Sequence, residues 1–356
     1  SGRPKVSLKG PVGATVRITP AELLDEKGLA NQSASGGPSY FSYTLKGEGL
    51  ETWHPQFTYY GFRYLQVEGA IPESASAADK PVLVKIEGQF TRSSARRVGR
   101  FSCSNELFNR IYRLVDWAVG SNLQSVLTDC PHREKLGWLE VAHLMGPSIM
   151  VNYDVASLYA KITRDTSESQ LPDGLVPDIA PEYVVFQGGF RDSPEWGSAA
   201  VILPWQLYQW YGDRRVLAER YPTMKRYVEY LGSRADGHIV SHGLGDWADF
   251  VKGGGVGASQ LTPTSLTATA IYYYDVIILA RIASILEEQE DAEGYAALAQ
   301  KIREAFNRAL FDPQTNRYAS GSQTSQAMPL VLGLVDPNRV DPVFAHLVGE
   351  LQGRGY

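Results

Sequence analysis

Over the first hundred residues hydrophobic and polar positions alternate in twos; from residue 105 onward apolar positions recur every three or four. The early segments 13–18 (GATVRI), 40–45, 57–67 (FTYYGFRYLQV) and 82–88 are short, β-branched or aromatic, and separated by Gly, Pro and Ser. That pattern predicts strands, and strands at this spacing predict a β-sandwich over residues 1–100. In 62–67, alternation puts Phe62, Tyr64 and Gln66 on one face and Arg63, Leu65 and Val67 on the other. From residue 105, the spacing of Leu107, Ile111, Leu114, Val115 and Ala118 predicts a helix capped by Ser104. Further helices are predicted over 139–163, 195–211, 215–234, 266–290, 292–310, 325–335 and 342–351. About eight helices in sequential antiparallel pairs, with no fixed repeat, predict an α/α toroid over 101–356 rather than a solenoid. A closed toroid of six hairpins holds about twelve helices, so this one is expected to be incomplete. Two long connections, 170–194 and 236–263, are rich in Pro or Gly, and such loops in a helical domain usually carry function. The glycines of 253–257 would let the second one move.

Composition narrows the classes. With 34 basic and 39 acidic side chains and a net charge of −5, the chain has no basic block for nucleic acid. No run of 18 apolar residues exists, so no membrane segment is predicted, and the opening Ser-Gly-Arg-Pro-Lys has no apolar signal core. Seven Trp and twenty Tyr offer flat faces suited to sugar rings, or to a core. Cys103 and Cys130 form at most one disulfide. His132 and His143 are too far apart for a helical ligand pair and Cys130 has no thiolate neighbour, so neither metal nor cofactor is predicted.

The stretch 128–143 (TDCPHREKLGWLEVAH) carries the chemistry. It holds Asp129, His132, Arg133, Glu134, Lys135, Trp138, Glu140 and His143 in sixteen residues. Pro131 breaks helix, so 128–137 should be a loop feeding a helix that starts near Trp138. Glycoside hydrolysis needs one carboxyl protonated for the leaving oxygen and a second to activate water. An Arg133–Glu134 pair would favour the charged form and oppose the acid role. Arg133 serves better turned to Asp129 or to sugar hydroxyls. The plain alternative is a structural ion-pair cluster.

This stretch resembles the signature of bacterial α-L-rhamnosidases of glycoside hydrolase family 78: Asp-Cys-Pro, a charged cluster, then Gly-Trp. The resemblance implies that Glu134, four residues before Trp138, is the general acid of an inverting hydrolase. It implies that Asp129 and Arg133 bind rhamnose hydroxyls and that Trp138 walls the pocket. The family often has an Asp three residues after that Trp; here Val141 stands there and Glu140 is expected to take its place, with His143 one turn further on. Residues 193–211 (SPEWGSAAVILPWQLYQWY) resemble the family's next barrel helix, adding Trp196. Residues 243–250 (GLGDWADF) resemble its Gly-Asp-Trp loop, adding Asp246 and Trp247. Residues 53–64 (WHPQFTYYGFRY) resemble loosely the sandwich before the barrel. The implied partners are rhamnose-containing plant or bacterial glycosides. The family's general base is a Glu well downstream of Gly-Asp-Trp. Glu287, Glu288 and Glu290 read as a solvated face and Glu350 carries no motif, so the base is expected beyond Tyr356. On that reading the 356-residue chain alone turns over an aryl α-L-rhamnoside feebly or not at all. The rival readings are another α/α-toroid glycosidase, of α-L-fucosidase or trehalase type, and a non-catalytic carbohydrate-binding relative.

Overall fold

Alternation builds the N-terminal unit, beginning with a strand that the sequence reading passed over. In the computed structural model, which describes residues 1–35, 37–75, 79–247, 249 and 259–355, β1 (Gly2–Lys9) buries every second residue. The strands that follow are β2 (Thr15–Ala21), β3 (Leu23–Leu24), β4 (Ala30–Asn31), β5 (Phe41–Thr44), β6 (Glu51–Trp53), β7 (Tyr64–Glu68), β8 (Ile71–Pro72) and β9 (Val82–Phe90). One sheet runs β6-β1-β9-β8 and the other β5-β2-β7. Val6 pairs with Trp53 and Ile86, and Ile18 pairs with Phe41 and Val67. Inward residues of β1 and β2, Val6, Leu8, Val16 and Ile18, together with Leu45 just after β5, form one core no more than 2% exposed. Phe41, Trp53, Leu65, Val67 and Leu83 pack against it. Each such side chain contributes roughly 1.5–3 kcal/mol. This is a β-sandwich. The 57–67 segment is shorter as a strand than predicted: Phe57 sits at φ 55° fully exposed, Tyr60 makes an isolated bridge to Gly2, and the strand itself starts at Tyr64.

The same unit, Ser1–Gly137 with Asn152–Asp154, contains α1 (Glu106–Asn122) and the short pair β10 (Arg96–Arg97) and β11 (Tyr153–Asp154). Asn105, not Ser104, caps α1: its side chain accepts the Leu107 N–H at 2.9 Å. Arg97 ties the pair to α1 through Asp116 at 2.5 Å and the Tyr153 hydroxyl at 3.0 Å. Cys103 and Cys130 are both free thiols.

The second unit, Trp138–Val151 with Val155–Tyr356, is helical. Its elements are α2 (Leu139–Leu144), α3 (Gly146–Asn152), α4 (Ala156–Ser169), α5 (Pro194–Gly197), α6 (Ala199–Tyr211), α7 (Arg214–Arg234), α8 (Thr264–Leu286), α9 (Gln289–Leu310), the hairpin β12 (Phe311–Asp312) and β13 (Arg317–Tyr318), α10 (Gln323–Leu332) and α11 (Val340–Gly353). The single helix predicted over 139–163 is thus three helices and a strand. Gly146-Pro147 starts a new helix and Val155 is non-helical, two breaks that apolar spacing alone does not register. Residues 195–211 likewise divide at Ser198. The motif Tyr211-Gly212-Asp213 makes the turn between α6 and α7. Gly212 takes the left-handed cap at φ 69° and the Asp213 side chain accepts the Arg215 N–H at 3.1 Å.

Helices α6 and α8 are apolar on all sides because they are inner helices. By length and mean hydropathy (1.5) α8 could cross a membrane, which the sequence reading did not foresee; its buried residues face neighbouring helices instead. α6 packs on α4 and α7, and α8 on α7 and α9; α2, α6, α8 and α10 are successive neighbours. This is an arc of an α/α toroid. The segments entering the inner helices are stitched together. Leu139 N–H donates to the Asp178 carbonyl at 2.9 Å, Leu244 N–H to Ser193 Oγ at 2.8 Å, and Thr262 and Ser322 share a hydrogen bond of 2.7 Å. Residues 253–257 lie outside the described residues.

Candidate active site

The charged motif divides between the two units, and each part is built by its own neighbours. In the first unit, residues 128–137 are loop, as Pro131 requires, and α2 begins directly after Trp138. The Asp129 N–H donates to the Leu136 carbonyl at 3.3 Å and closes the loop. The sandwich holds it from outside: Gly61 N–H donates to the Pro131 carbonyl at 2.9 Å. A Cβ on Gly61 would stand 2.7 Å from Pro131 Cγ, so only glycine permits that approach. Lys135, at φ 57°, sends its ammonium to the Tyr59 carbonyl at 2.6 Å and across the Tyr59 and Tyr60 rings. Burial lowers its proton affinity.

Within this loop lie the acid candidate and its companions. Glu134 is half-buried; its N–H donates to Cys130 Sγ at 3.3 Å. Arg133 donates to Glu134 Oε1 through Nε at 3.1 Å and Nη2 at 2.8 Å. Of the two pairings left open for Arg133, the structure has the one with the adjacent Glu134. Burial pushes the Asp129 carboxyl above the usual carboxylate range, helped by the charge of Glu134 and opposed by Cys130. Its Oδ1 is buried without a hydrogen-bond partner.

The second unit carries an aromatic row and a set of buried acids. Trp138 lies 5.3 Å from Phe186, Phe186 lies 6.4 Å from Phe190, and Phe190 meets Trp247 edge-on at 5.1 Å. Trp138 and Trp247, both read from the motifs, thus end one continuous row. Trp196 does not join it. At 4% exposure its ring is core, so its expected sugar contact has little surface to use. Glu140, in the first turn of α2, has its proton affinity pushed up to about 7, by burial first and then by the charges of Glu195 and Asp246. His143 is buried, and its Nε2 donates to the Glu195 carbonyl at 2.7 Å. Burial lowers it to about 4, so the ring is neutral near pH 7. Asp246 accepts from the Thr262 hydroxyl at 3.2 Å. It borders a cavity of about 420 Å³ together with Thr262, Ser322, Gln323 and Thr324. Asp249, by contrast, is used up by the Gln260 and Leu261 amides.

Two acids escaped the sequence reading. Asp178 Oδ1 accepts the Ser193 N–H at 2.9 Å while Oδ2 is unpartnered, and burial pushes its carboxyl well up. Glu195 lies on α5, whose Gly197 fits against the Tyr227 hydroxyl where a Cβ would come to 2.4 Å. Phe186 and Phe190 were also passed over. All four lie in or just after the connection 170–194, and only its length and its glycines signalled function. Among the described residues no group of three or more His, Cys, Asp or Glu is arranged to hold a metal ion.

Comparison with known proteins gives this arrangement its family. Residues 96–356 match the bacterial α-L-rhamnosidase six-hairpin glycosidase domain, and residues 1–87 match the bacterial α-L-rhamnosidase concanavalin-like domain. An α-L-rhamnosidase of Streptomyces avermitilis is 31% identical over 94% of this chain. One from Formosa agariphila is 30% identical over 89%. The chain spans 31% and 34% of the lengths of these relatives. The structure of the Dictyoglumus thermophilum α-L-rhamnosidase superposes with a TM-score of 0.88 at 35% identity, covering 99% of this chain and 39% of that one. The Streptomyces avermitilis enzyme complexed with L-rhamnose gives 0.87 at 30% identity, covering 99% and 33%. With family models covering both its sandwich and its helical hairpins, the chain belongs to the bacterial α-L-rhamnosidases.

Proposed function

We propose that the whole protein removes terminal α-L-rhamnosyl residues from plant or bacterial glycosides with inversion of configuration, and that Glu134 is its general acid. The observation that carries this is the loop 128–137, which the sandwich clamps through Gly61 and Tyr59 and which sets Glu134 beside both the Arg133 guanidinium and the Asp129 carboxyl. In this role Glu134 gives its proton to the leaving oxygen as an oxocarbenium-like transition state forms. Water, activated by a carboxylate on the opposite face of the ring, then adds to the anomeric carbon. The Arg133 guanidinium occupies Glu134 Oε1 through two N–H groups, where it competes with a leaving oxygen. The guanidinium must therefore leave Glu134 when substrate arrives, and hydroxyls of the sugar are the natural acceptors to draw it away. Asp129, with a buried oxygen lacking a donor, is suited to receive a sugar hydroxyl. Trp138, Phe186, Phe190 and Trp247 offer an apolar wall to a 6-deoxy sugar, whose methyl group has no hydroxyl to satisfy. Glu140, His143, Trp196 and Asp246, also assigned to sugar binding by the resemblance, belong to the same unit as this wall.

A release assay over aryl α-L-rhamnoside, α-L-fucoside and glucosides tests the substrate class. Turnover confined to the rhamnoside is expected; equal or better cleavage of another glycoside would contradict the proposal. Glu134→Gln is expected to cost about 10²–10⁴-fold in kcat with L-rhamnose affinity kept. A rhamnose-binding protein without catalytic function would show no turnover to lose.

One observation favours a second assignment of the proton donor. Glu140 is the carboxyl whose surroundings keep it protonated up to about pH 7, whereas Glu134 sits in an ion pair. On that reading Glu140 is the acid and Glu134 holds Arg133.

A further inference from the structure

Ser193 stands at the start of α5, where a serine ordinarily caps the helix with its own hydroxyl. Its carbonyl accepts the Trp196 and Gly197 N–H groups at 3.0 Å, but its side chain makes no cap hydrogen bond. The hydroxyl is used elsewhere: it donates to the Gly189 carbonyl at 2.6 Å and accepts the Leu244 N–H at 2.8 Å. The Ser193 N–H donates to Asp178 Oδ1 at 2.9 Å, and the Asp178 carbonyl accepts the Leu139 N–H at 2.9 Å. One residue, 1% exposed, thus joins three segments, and each carries a ring of the aromatic row. Trp138 precedes Leu139, Phe190 follows Gly189, and Trp247 lies just beyond Leu244. A second tie runs beside the first. His242 Nε2 donates to Asp192 Oδ1 at 3.1 Å, and the Tyr230 hydroxyl on α7 donates to Asp192 Oδ2 at 2.6 Å. The loops meet closely along this seam. A Cβ on Gly189 would stand 3.0 Å from Leu244 Cδ2, and one on Gly243, at φ 103°, would stand 2.9 Å from Pro194 Cδ. The Trp247 N–H donates to the Gly245 carbonyl at 2.8 Å, a tight turn from which the indole meets Phe190 edge-on at 5.1 Å.

We propose that Ser193 is a positioning residue for the aromatic wall: its hydroxyl couples the turn that carries Phe190 to the loop that carries Trp247 and so fixes the contact between the two rings. Phe186 and Phe190 come from one connection and Trp247 from another, so the row stays continuous only while the two are held together. Without the hydroxyl the buried Leu244 N–H loses this acceptor. A buried N–H must then be met by water or by another acceptor, and the loop shifts to reach one. That shift opens the gap between Phe190 and Trp247. The opened row offers less apolar surface to a methyl group, while the groups that meet the sugar hydroxyls keep their places. That the wall takes the C6 methyl of rhamnose rests on the proposed function; the coupling of the two rings does not.

The test is calorimetric binding of L-rhamnose and of L-mannose, which adds a hydroxyl on C6, to the whole protein. Wild type is expected to prefer L-rhamnose by about 10–10²-fold, the range an apolar pocket gives against an added hydroxyl. Ser193→Ala should bring the two affinities close to parity, with most of the loss on L-rhamnose. A merely structural defect lowers the competent fraction for both sugars alike and leaves their ratio where it was. His242→Ala breaks the neighbouring tie at a partly exposed position and should move the ratio in the same direction; its ratio decides if Ser193→Ala fails to fold. Without sugar, Ser193→Ala should increase acrylamide quenching of the tryptophan emission, and the increase should vanish in a Trp247→Phe background. A wild-type preference kept in folded Ser193→Ala, or quenching unchanged in it, would overturn the proposal. A wild type that binds both sugars equally, with the quenching change present, would sink the wall's part in the proposed function and leave the positioning standing.

Discussion

Arg133 and Glu134 are neighbours in sequence and partners in space, and this sets the chemical problem the site must solve. The carboxyl proposed to donate a proton has one oxygen occupied by a guanidinium, and substrate must compete for it. Glu140 is placed differently: burial pushes its proton affinity up to about 7. The two buried ionisable groups of α2 also leave a signature in stability. His143 falls from 6.5 to about 4 on folding, so the unfolded chain takes up its proton first. Its contribution is whole above about 6.5 and is lost as pH falls towards 4. Glu140 rises from 4.5 to about 7, so its contribution is whole below 4.5 and is lost as pH rises through 7. Between pH 4.5 and 6.5 the two slopes oppose each other. In Glu140→Gln only the histidine slope remains, and its unfolding free energy should gain about 2–3 kcal/mol relative to wild type across that window. Urea denaturation at a series of pH values measures it; parallel wild-type and variant curves would contradict the assignment.

Two glycines decide whether the elements can hold these side chains. Gly61→Ala places a methyl 2.7 Å from Pro131 and must push the motif loop off the sandwich. A loss of about 1–3 kcal/mol is expected, with kcat reduced as Glu134 shifts, read by urea unfolding and turnover together. Gly197→Ala meets the buried Tyr227 ring and hydroxyl at 2.4–2.9 Å. It should cost a similar amount and disturb Glu195 on the same short helix; a variant as stable as wild type would mean α5 packs less tightly than described. The sequence disclosed much at this scale. Pro131 announced the loop, and the Trp138–His143 spacing announced a helix. It was silent where tertiary packing decides. Strand β1 looked like a featureless start because Gly2 and Pro4 hold its first two inward positions, and only pairing with β6 and β9 reveals Val6 and Leu8 as core. A helix was read straight through Gly146 and Val155 because apolar spacing persists across both breaks. Glu195 appears in the sequence only as the start of a predicted helix; the packing of α5, which carries it, rests on Tyr227, far away in sequence.

At the scale of the whole molecule, a sandwich with one apolar core precedes an arc of helical hairpins. Its inner helices are entered by hydrogen-bonded segments that carry nearly all the notable side chains. The fold class and the family were legible because three motifs fall in order along the chain. The assembly of buried acids was not, since Glu140, Asp178, Glu195 and Asp246 come from four segments spread over more than a hundred residues. The central claim is that Glu134 protonates the leaving oxygen, and leaving-group dependence tests it most directly. In Glu134→Gln, kcat/KM for a rhamnoside with a poor, alkyl-type leaving group should fall about 10²–10⁴-fold. A dinitrophenyl rhamnoside, whose leaving group needs no proton, should be cleaved nearly as fast as by wild type. Equal losses on both substrates, with the selective pattern shown by Glu140→Gln instead, would contradict the account.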